Sequence, residues 1–247
     1  MWLAGVDGCR GGWIVVLIEY KAGEVRDHRV TLYPTFADVL ALDPQPTIIA
    51  IDMPIGLLDE PQPGGRECDR QARKLLSRRA SSIFSPPTRP MLKATHYEQV
   101  RTQGLSIQSF NILPKIREVD RLMTPELQKR VHEAHPELAF MSLADAAMQY
   151  NKKTREGRQE RQKILESIFH RRNKKSLFTS PFEKGGKRET QGDFYQHFLR
   201  FQAAPDDILD AYVLAWTALR INTGQASRVP TDLLFDHNRL QMEIWYG

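Results

Sequence analysis

A chain of 247 residues with 41% hydrophobic content and a mean hydropathy of −0.47 can bury a substantial core as one large domain or two small ones. No apolar run approaches the roughly 20 residues of a membrane-spanning helix, and MWLAGVDG has no basic region followed by a long apolar one, so a cytoplasmic protein with no membrane partner is expected. Cys9 and Cys68 form no CxxC pair, which leaves cysteine-built zinc sites and redox chemistry unsupported, and the net charge of +5 (pI about 9.2) matters through where the basic residues cluster.

The chain opens on LAGVDGCRGGWIVVLIEY. Residues 3–6 read as a short buried strand, 9–12 as a glycine-rich turn and 13–20 as a longer strand rich in Val and Ile, together a β-hairpin. Asp7 stands at the end of the first strand. A carboxylate between apolar strand residues is costly to desolvate unless a cation or hydrogen-bond donors meet it; the simpler account is an aspartate that caps its own turn. Gly8, Gly11 and Gly12 are expected to supply positive φ and to leave room beside Asp7 for a phosphate.

Residues 25–33 alternate well enough for a third strand, and Pro34 starts a short helix to about residue 41. The run TIIAI at 47–51 is continuously apolar, as a central strand covered on both faces requires, and Asp52 follows it directly. If this strand runs parallel to the first, through the usual right-handed crossover, Asp7 and Asp52 face one crevice. A Pro/Gly-rich loop (58–65), a basic helix (67–79), a proline-studded segment (81–90) and helices at 95–105, 112–123 and 125–130 follow, so about 58–130 reads as a mostly helical insertion in a single domain spanning 1–247. Residues 131–134 form a brief strand carrying Glu133, and 137–143 a helix. Residues 155–169 form a basic helix, and 174–191 are rich in Lys, Gly and Ser and read as a flexible loop. Pro205 opens a largely buried helix through residue 220, and residues 240–245 give a final edge strand.

Five acids stand out in this order. Asp7, Asp52 and Glu133 sit at strand ends, while Asp207 and Asp210 are three apart on one helix face, where two carboxylates can share a cation; the helix dipole is a sufficient account of acids in that first turn. All-oxygen ligand sets are what Mg²⁺ or Mn²⁺ prefers, and two such ions held about 4 Å apart can activate water and stabilise the leaving oxygen in phosphodiester cleavage. The combination predicts a two-metal nuclease. Basic residues cluster at 66–79 (Arg66, Arg70, Arg73, Lys74, Arg78, Arg79) and at 152–175, which includes Lys152, Lys153, Arg158 and Arg161. Such patches attract phosphate backbones, although a solvated, ion-paired helix face explains them equally. Arg10, Arg66, Arg73, Arg79, Lys115, Lys153 and Arg158 are the candidate substrate contacts. No GxxxxGK[ST], GxGxxG or GxSxG motif is present. His132 and His135 lack metal-ligand companions and read as ordinary strand-end histidines, Ser81 and Ser82 as turn residues, and Phe84, Tyr97 and Phe110 as core.

The segments VDGCRGGW, IDMPIGL, RECDRQARKLL, SSIF, ILPKIREVD, EAHPELAF, KTREG and DDILDAYVLAWTALR, in this order and spread over nearly the whole chain, resemble the predicted RNase H-like nucleases grouped as domain of unknown function four hundred and twenty-nine. Ser77 departs from the family pattern, which has glycine after the arginine-rich helix. The resemblance implies an RNase H-like α/β fold: three layers, with a mixed five-stranded sheet between helices on both faces. The placing of acids after the first and fourth strands and in a final helix is similar to Holliday-junction resolvases, which implies Asp7, Asp52, Asp207 and Asp210 as metal ligands and Glu133 as a further catalytic candidate. The leading reading is therefore a nuclease acting on DNA or RNA, with Asp7 bridging two ions and a homodimer left open. A nucleotide-binding phosphotransferase or ATPase on the same fold, or a catalytically silent nucleic-acid or protein-binding module, are the alternatives.

Overall fold

The structure, a computed structural model, describes residues 1–169 and 202–247; the loop expected at 174–191 lies outside them. Three antiparallel strands come first, β1 (Trp2–Cys9), β2 (Gly12–Lys21) and β3 (Glu24–Tyr33). The short helix α1 (Phe36–Leu40), opened by a reciprocal Thr35–Asp38 capping box, returns the chain to β4 (Ile48–Ile51), which lies parallel to β1. A further strand, β5 (Val131–Glu133), lies parallel to β4. The sheet order is β3-β2-β1-β4-β5. That order and those strand directions, with helices on both faces, make this an RNase H-like fold.

Sequence chemistry explains the order. The central strands β1 and β4 are almost wholly buried, whereas the edge strand β3 has no buried residue and carries Arg26, Asp27 and Arg29, charges that blunt an open edge. Between β4 and β5 lie α2 (Glu67–Leu76), α3 (Glu98–Arg101), α4 (Ile107–Asn111) and α5 (Leu113–Leu122). Leu113, Ile116 and Val119 of α5 join Phe36 and Val39 of α1 over Ala4, Val6, Trp13, Val15 and Ile51, forming the core on one face. Glu118 ties this layer down by accepting from the Trp13 indole (3.1 Å) and the Phe36 amide (2.5 Å).

On the other face, α6 (Pro136–Ala144) and α7 (Arg155–Phe169) back the last helix, α8 (Pro205–Asn222). Residues 208–215 of α8 are all buried, because the helix is covered by the sheet on one side and by α6 and α7 on the other. Its approach to the sheet is set by Gly5, where a β-carbon would lie 2.1 Å from both the Ala211 carbonyl oxygen and the Ala215 nitrogen. A glycine inside a strand marks such close backbone approach.

Several local expectations change. Asp7 lies inside β1, paired with Ile14, and does not follow the strand. Gly12 has positive φ (135°), but Gly8 and Gly11 do not; the space over Gly8 is taken by the Lys115 side chain, whose Cδ would be 2.7 Å from a β-carbon there. The basic helix ends at Leu76, and Ser77, standing where glycine is expected, takes φ 48° before a 3-10 segment, Ser77–Ser82. The stretch 95–105 supplies only the four-residue α3, and α4 emerges from sequence with no helical pattern of its own. The last strand, β7 (Ile244–Tyr246), pairs with β6 (Ser227–Val229) in a separate two-stranded sheet. Among the described residues no helix is long and apolar enough to cross a membrane.

Gly5→Ala is expected to destabilise the fold by at least about 2 kcal/mol, since the new methyl meets helix backbone and no side chain can yield. Urea denaturation at constant m-value measures this; a variant as stable as the parent would show that α8 does not rest on β1.

Candidate active site

Strand periodicity decides which acids meet. Leu3 and Cys9 of β1 pack in the α8-face core, so Gly5 and Asp7, in phase with them, point the same way. In β4 Ala50 belongs to that core and Ile51 to the opposite one, so Asp52 returns to the α8 face. Val6 pairs with Ile51 in the parallel ladder and the Asp52 amide donates to the Val6 carbonyl (3.0 Å), which sets Asp52 beside Asp7 at the end of the parallel pair. Asp210 comes down onto them from α8 and is 1% exposed.

Burial and mutual repulsion act on all three. Asp7 is driven well above the ordinary carboxylate range by burial, then by the charges of Asp52, Asp210 and Asp207. Asp52 is pushed up to about 7, chiefly by burial, against the pull of Lys152. Burial likewise raises Asp210, with Lys152 opposing it. Asp207 rises to about 6, again through burial, while one of its oxygens accepts from the Ala204 amide (2.8 Å) and so caps α8. Lys152 is the cation that the sequence did not single out. Its Nζ lies 2.5 Å from Asp210 Oδ2, and its charge also acts on Asp7 and Asp52. Its neighbour Lys153, a candidate substrate contact, is exposed. Among the described residues, no three His, Cys, Asp or Glu side chains are grouped to hold a metal ion.

Glu133 is close enough for its charge to act on Asp52, but its own hydrogen bonds go elsewhere. It pairs in register with Ile51, so alternation turns it to the face opposite α8. There its Oε1 and Oε2 take the Arg66 Nη2 and Nη1 (2.6 and 2.7 Å), and Oε2 also accepts from the Ile55 amide (2.7 Å). Arg66, 2% exposed, further binds Asp69 and the carbonyls of Ile55 and Gly56. Burial pushes Glu133 up to about 7 while Arg66 pulls it down. This is an internal clamp holding α2 to the β4–β5 edge, and its guanidinium is not free to meet a phosphate.

The sequence profile of a family described as "Protein of unknown function (DUF429)" matches residues 5–233. The chain belongs to this family. A solved structure titled "Thermus thermophilus RuvC structure" is similar at 14% identity and a TM-score of 0.36, over 91% of this chain and 98% of that one. No curated protein matches the chain.

The match to the DUF429 family takes in all five acids and every basic candidate. Arg73 donates to the Ile83 carbonyl (2.9 Å) and Ser85 Oγ (3.0 Å), and Arg79 to the carbonyls of Met148 (2.9 Å) and Tyr150 (2.7 Å), so both are spent on loop geometry. Arg161, counted in the basic patch, is fully buried against Glu137 (2.8 Å). Lys115 donates to the Gly12 carbonyl (2.5 Å) and lies 4.5 Å over the Trp13 ring, covering the hairpin backbone near Asp7. Arg10 is exposed in that turn, and Arg158 donates to the Lys153 carbonyl (2.7 Å). His135 lines a narrow pocket with Asp52 and Glu133, its Nε2 3.3 Å from the Ser82 carbonyl, and burial lowers it to about 4, hence neutral near pH 7.

Two outcomes follow. Asp52 has a folded-state pKa above its unfolded one, so its contribution to stability is complete below 3.8 and is lost as pH rises to about 7. In EDTA, the melting temperature of Asp52→Asn should therefore gain on that of the parent across this window and hold level above it; a gap independent of pH would contradict the placement. Arg66→Met leaves Asp69 and Glu133 buried without a cation and should cost about 3 to 5 kcal/mol in chemical denaturation. A loss under about 1 kcal/mol, the range of an exposed pair, would mean that the clamp is not closed in solution.

Proposed function

We propose that this protein is a metal-dependent nuclease that hydrolyses phosphodiester bonds in nucleic acid. The observation that carries the reading is the meeting of Asp7, Asp52 and Asp210 at the end of the parallel pair of an RNase H-like sheet. Buried carboxylates that repel one another call for positive charge, and an oxygen-only donor set suits Mg²⁺ or Mn²⁺. Such an ion, when bound, supplies a Lewis acid toward a phosphoryl oxygen and an acidified water. Asp7, Asp52 and Asp210 would hold it, while Asp207 keeps the first turn of α8 in place. Lys115 brings positive charge to the rim beside Asp7, and the outward-facing Arg10, Lys153 and Arg158 suit a phosphate backbone that is gripped without regard to sequence.

One observation favours a different reading: Lys152 already neutralises Asp210, as it would in a silent binding module whose acids serve the fold. A single assay separates the two. Purified protein is incubated with branched, duplex and single-stranded DNA and RNA in Mg²⁺ or Mn²⁺. Nuclease function requires cleavage that EDTA abolishes and that Asp7→Asn lowers by at least about 100-fold, the upper range for disturbing groups around a metal. Absence of cleavage by the parent, with salt-sensitive binding unchanged by EDTA and by Asp52→Asn, would establish the silent module; equal cleavage by Asp7→Asn would rule out this site.

A further inference from the structure

Among the described residues two aromatic rings of Phe, Tyr or Trp stand exposed, Tyr150 at 49% and Phe235 at 55%. Phe84, Tyr97 and Phe110 instead pack against the core. The two exposed rings differ in their surroundings. Phe235 follows Leu233 and Leu234 in a loop whose adjoining charges are acidic, Asp232 and Asp236. Tyr150 leads into a basic stretch, where Lys153, Arg155 and Lys163 are exposed against one exposed acid, Glu156. Among the described residues the Tyr150 hydroxyl has no hydrogen-bond partner, and its ring meets no other ring and no cation.

The backbone beneath this ring is tied to charged side chains on both of its polar groups. The Tyr150 carbonyl accepts from Arg79 (2.7 Å) and Arg161 (3.3 Å), and its amide donates to Glu160 (3.1 Å), which also takes the Gln149 amide (2.8 Å). Past it, Thr154 Oγ1 donates to the Asn151 carbonyl (2.9 Å) and accepts from the Gly157 amide (3.1 Å). Lys152, two residues on and so no farther than about 7 Å along the backbone, ends 2.5 Å from Asp210 with its side chain 38% exposed. The ring therefore stands at the rim of the acid crevice on a backbone that is already ordered, and little conformational freedom remains to be lost when a ligand covers it.

Resting on the nucleic-acid reading above, we propose that Tyr150 is a stacking platform for an unpaired base beside the crevice, so that the protein binds single-stranded segments in preference to continuous duplex. A base within a duplex has both faces covered by its neighbours, whereas an unpaired base offers a face to an aromatic ring whatever its identity. The exposed Lys153 and Arg155 hold the phosphates on either side, again without regard to sequence.

The test measures binding by fluorescence anisotropy in EDTA, using a labelled single strand (DNA or RNA, whichever the parent binds more tightly), the corresponding duplex, and a strand of equal length whose sugars carry no bases. The parent should prefer the single strand to the duplex, and Tyr150→Phe should match it. Tyr150→Ala should bind the single strand at least about 10-fold more weakly, with the parent's salt dependence, because no phosphate contact is lost. On the duplex and on the strand without bases, parent and Tyr150→Ala should agree, and the two should melt together. Equal single-strand binding by parent and Tyr150→Ala, the same loss on the strand without bases, or a melting temperature of Tyr150→Ala well below the parent's, which would mean that the ring packs within its own chain, would overturn the inference and leave the nucleic-acid reading standing. A parent that binds none of these nucleic acids would overturn both.

Discussion

Everything at the crevice depends on how closely the last helix can approach the first strand. Gly5 has no side chain, so the α8 backbone at Ala211 and Ala215 rests directly on the strand, nearer than any Cβ-bearing residue would permit. That contact fixes the depth of the helix and its rotation together. Asp210, next to Ala211, is thereby delivered to the strand face from which Asp7 projects, two residues beyond the glycine. The neighbouring pair in β4 obeys the same alternation, Ala50 beneath the helix and Asp52 at the end. A strand face made of small residues and then an acid, repeated on two parallel strands, brings a helix down and ends in a charged pocket.

The two buried acid groups at this end of the sheet meet their desolvation in opposite ways. Glu133 and Asp69 surround a guanidinium that satisfies both, with backbone groups filling the remaining donors and acceptors. Such a cluster is complete and offers nothing to a ligand. Among the described residues Asp7 and Asp52 have no comparable partner, and the ammonium that reaches them is already committed to Asp210. Incomplete compensation of buried charge is uncommon in a structure where only folding matters, because removing the charge would be cheaper than burying it. The contrast is in the partners: the clamp carboxylates share a fully hydrogen-bonded guanidinium, while Asp7 and Asp52 are raised by burial and by one another's charge, the condition on which the proposed metal site rests.

Much of the architecture was legible because it is written in short-range patterns. Continuous apolar runs marked the central strands, Pro205 and the two acids after it marked the start of α8, and α7 begins where its charge pattern set it, at Arg155. What escaped was long-range. An arginine reads as surface until its partner is known, and the partners of Arg66 and Arg161 are Glu133 and Glu137, 67 and 24 residues away. The pairing of β6 with β7 joins segments of three residues each, too short to carry a period. Ser77 was visible as a departure from the family pattern, but only its φ of 48° shows why glycine belongs there: the chain turns through the left-handed region as α2 ends.

The site itself turns on parity, which sequence gives only once register is known. Glu133 and Asp52 both look like acids at the ends of parallel strands, yet Asp52 lies one residue past Ile51 while Glu133 is the residue that pairs with Ile51. That single step gives neighbouring carboxylates different partners: Asp52 meets the charges of Asp210 and Lys152, while Glu133 is taken by Arg66. Lys152 and Lys153 differ in the same way, one entering the acid cluster and its neighbour facing solvent, though both stand in an uninterrupted polar stretch. Residue type does not separate the members of either pair. Which member enters the acid cluster was set by the pairing of β4 with β5 and by the anchoring of residues 148–154 on α7, and neither has a signature within the few residues it orients.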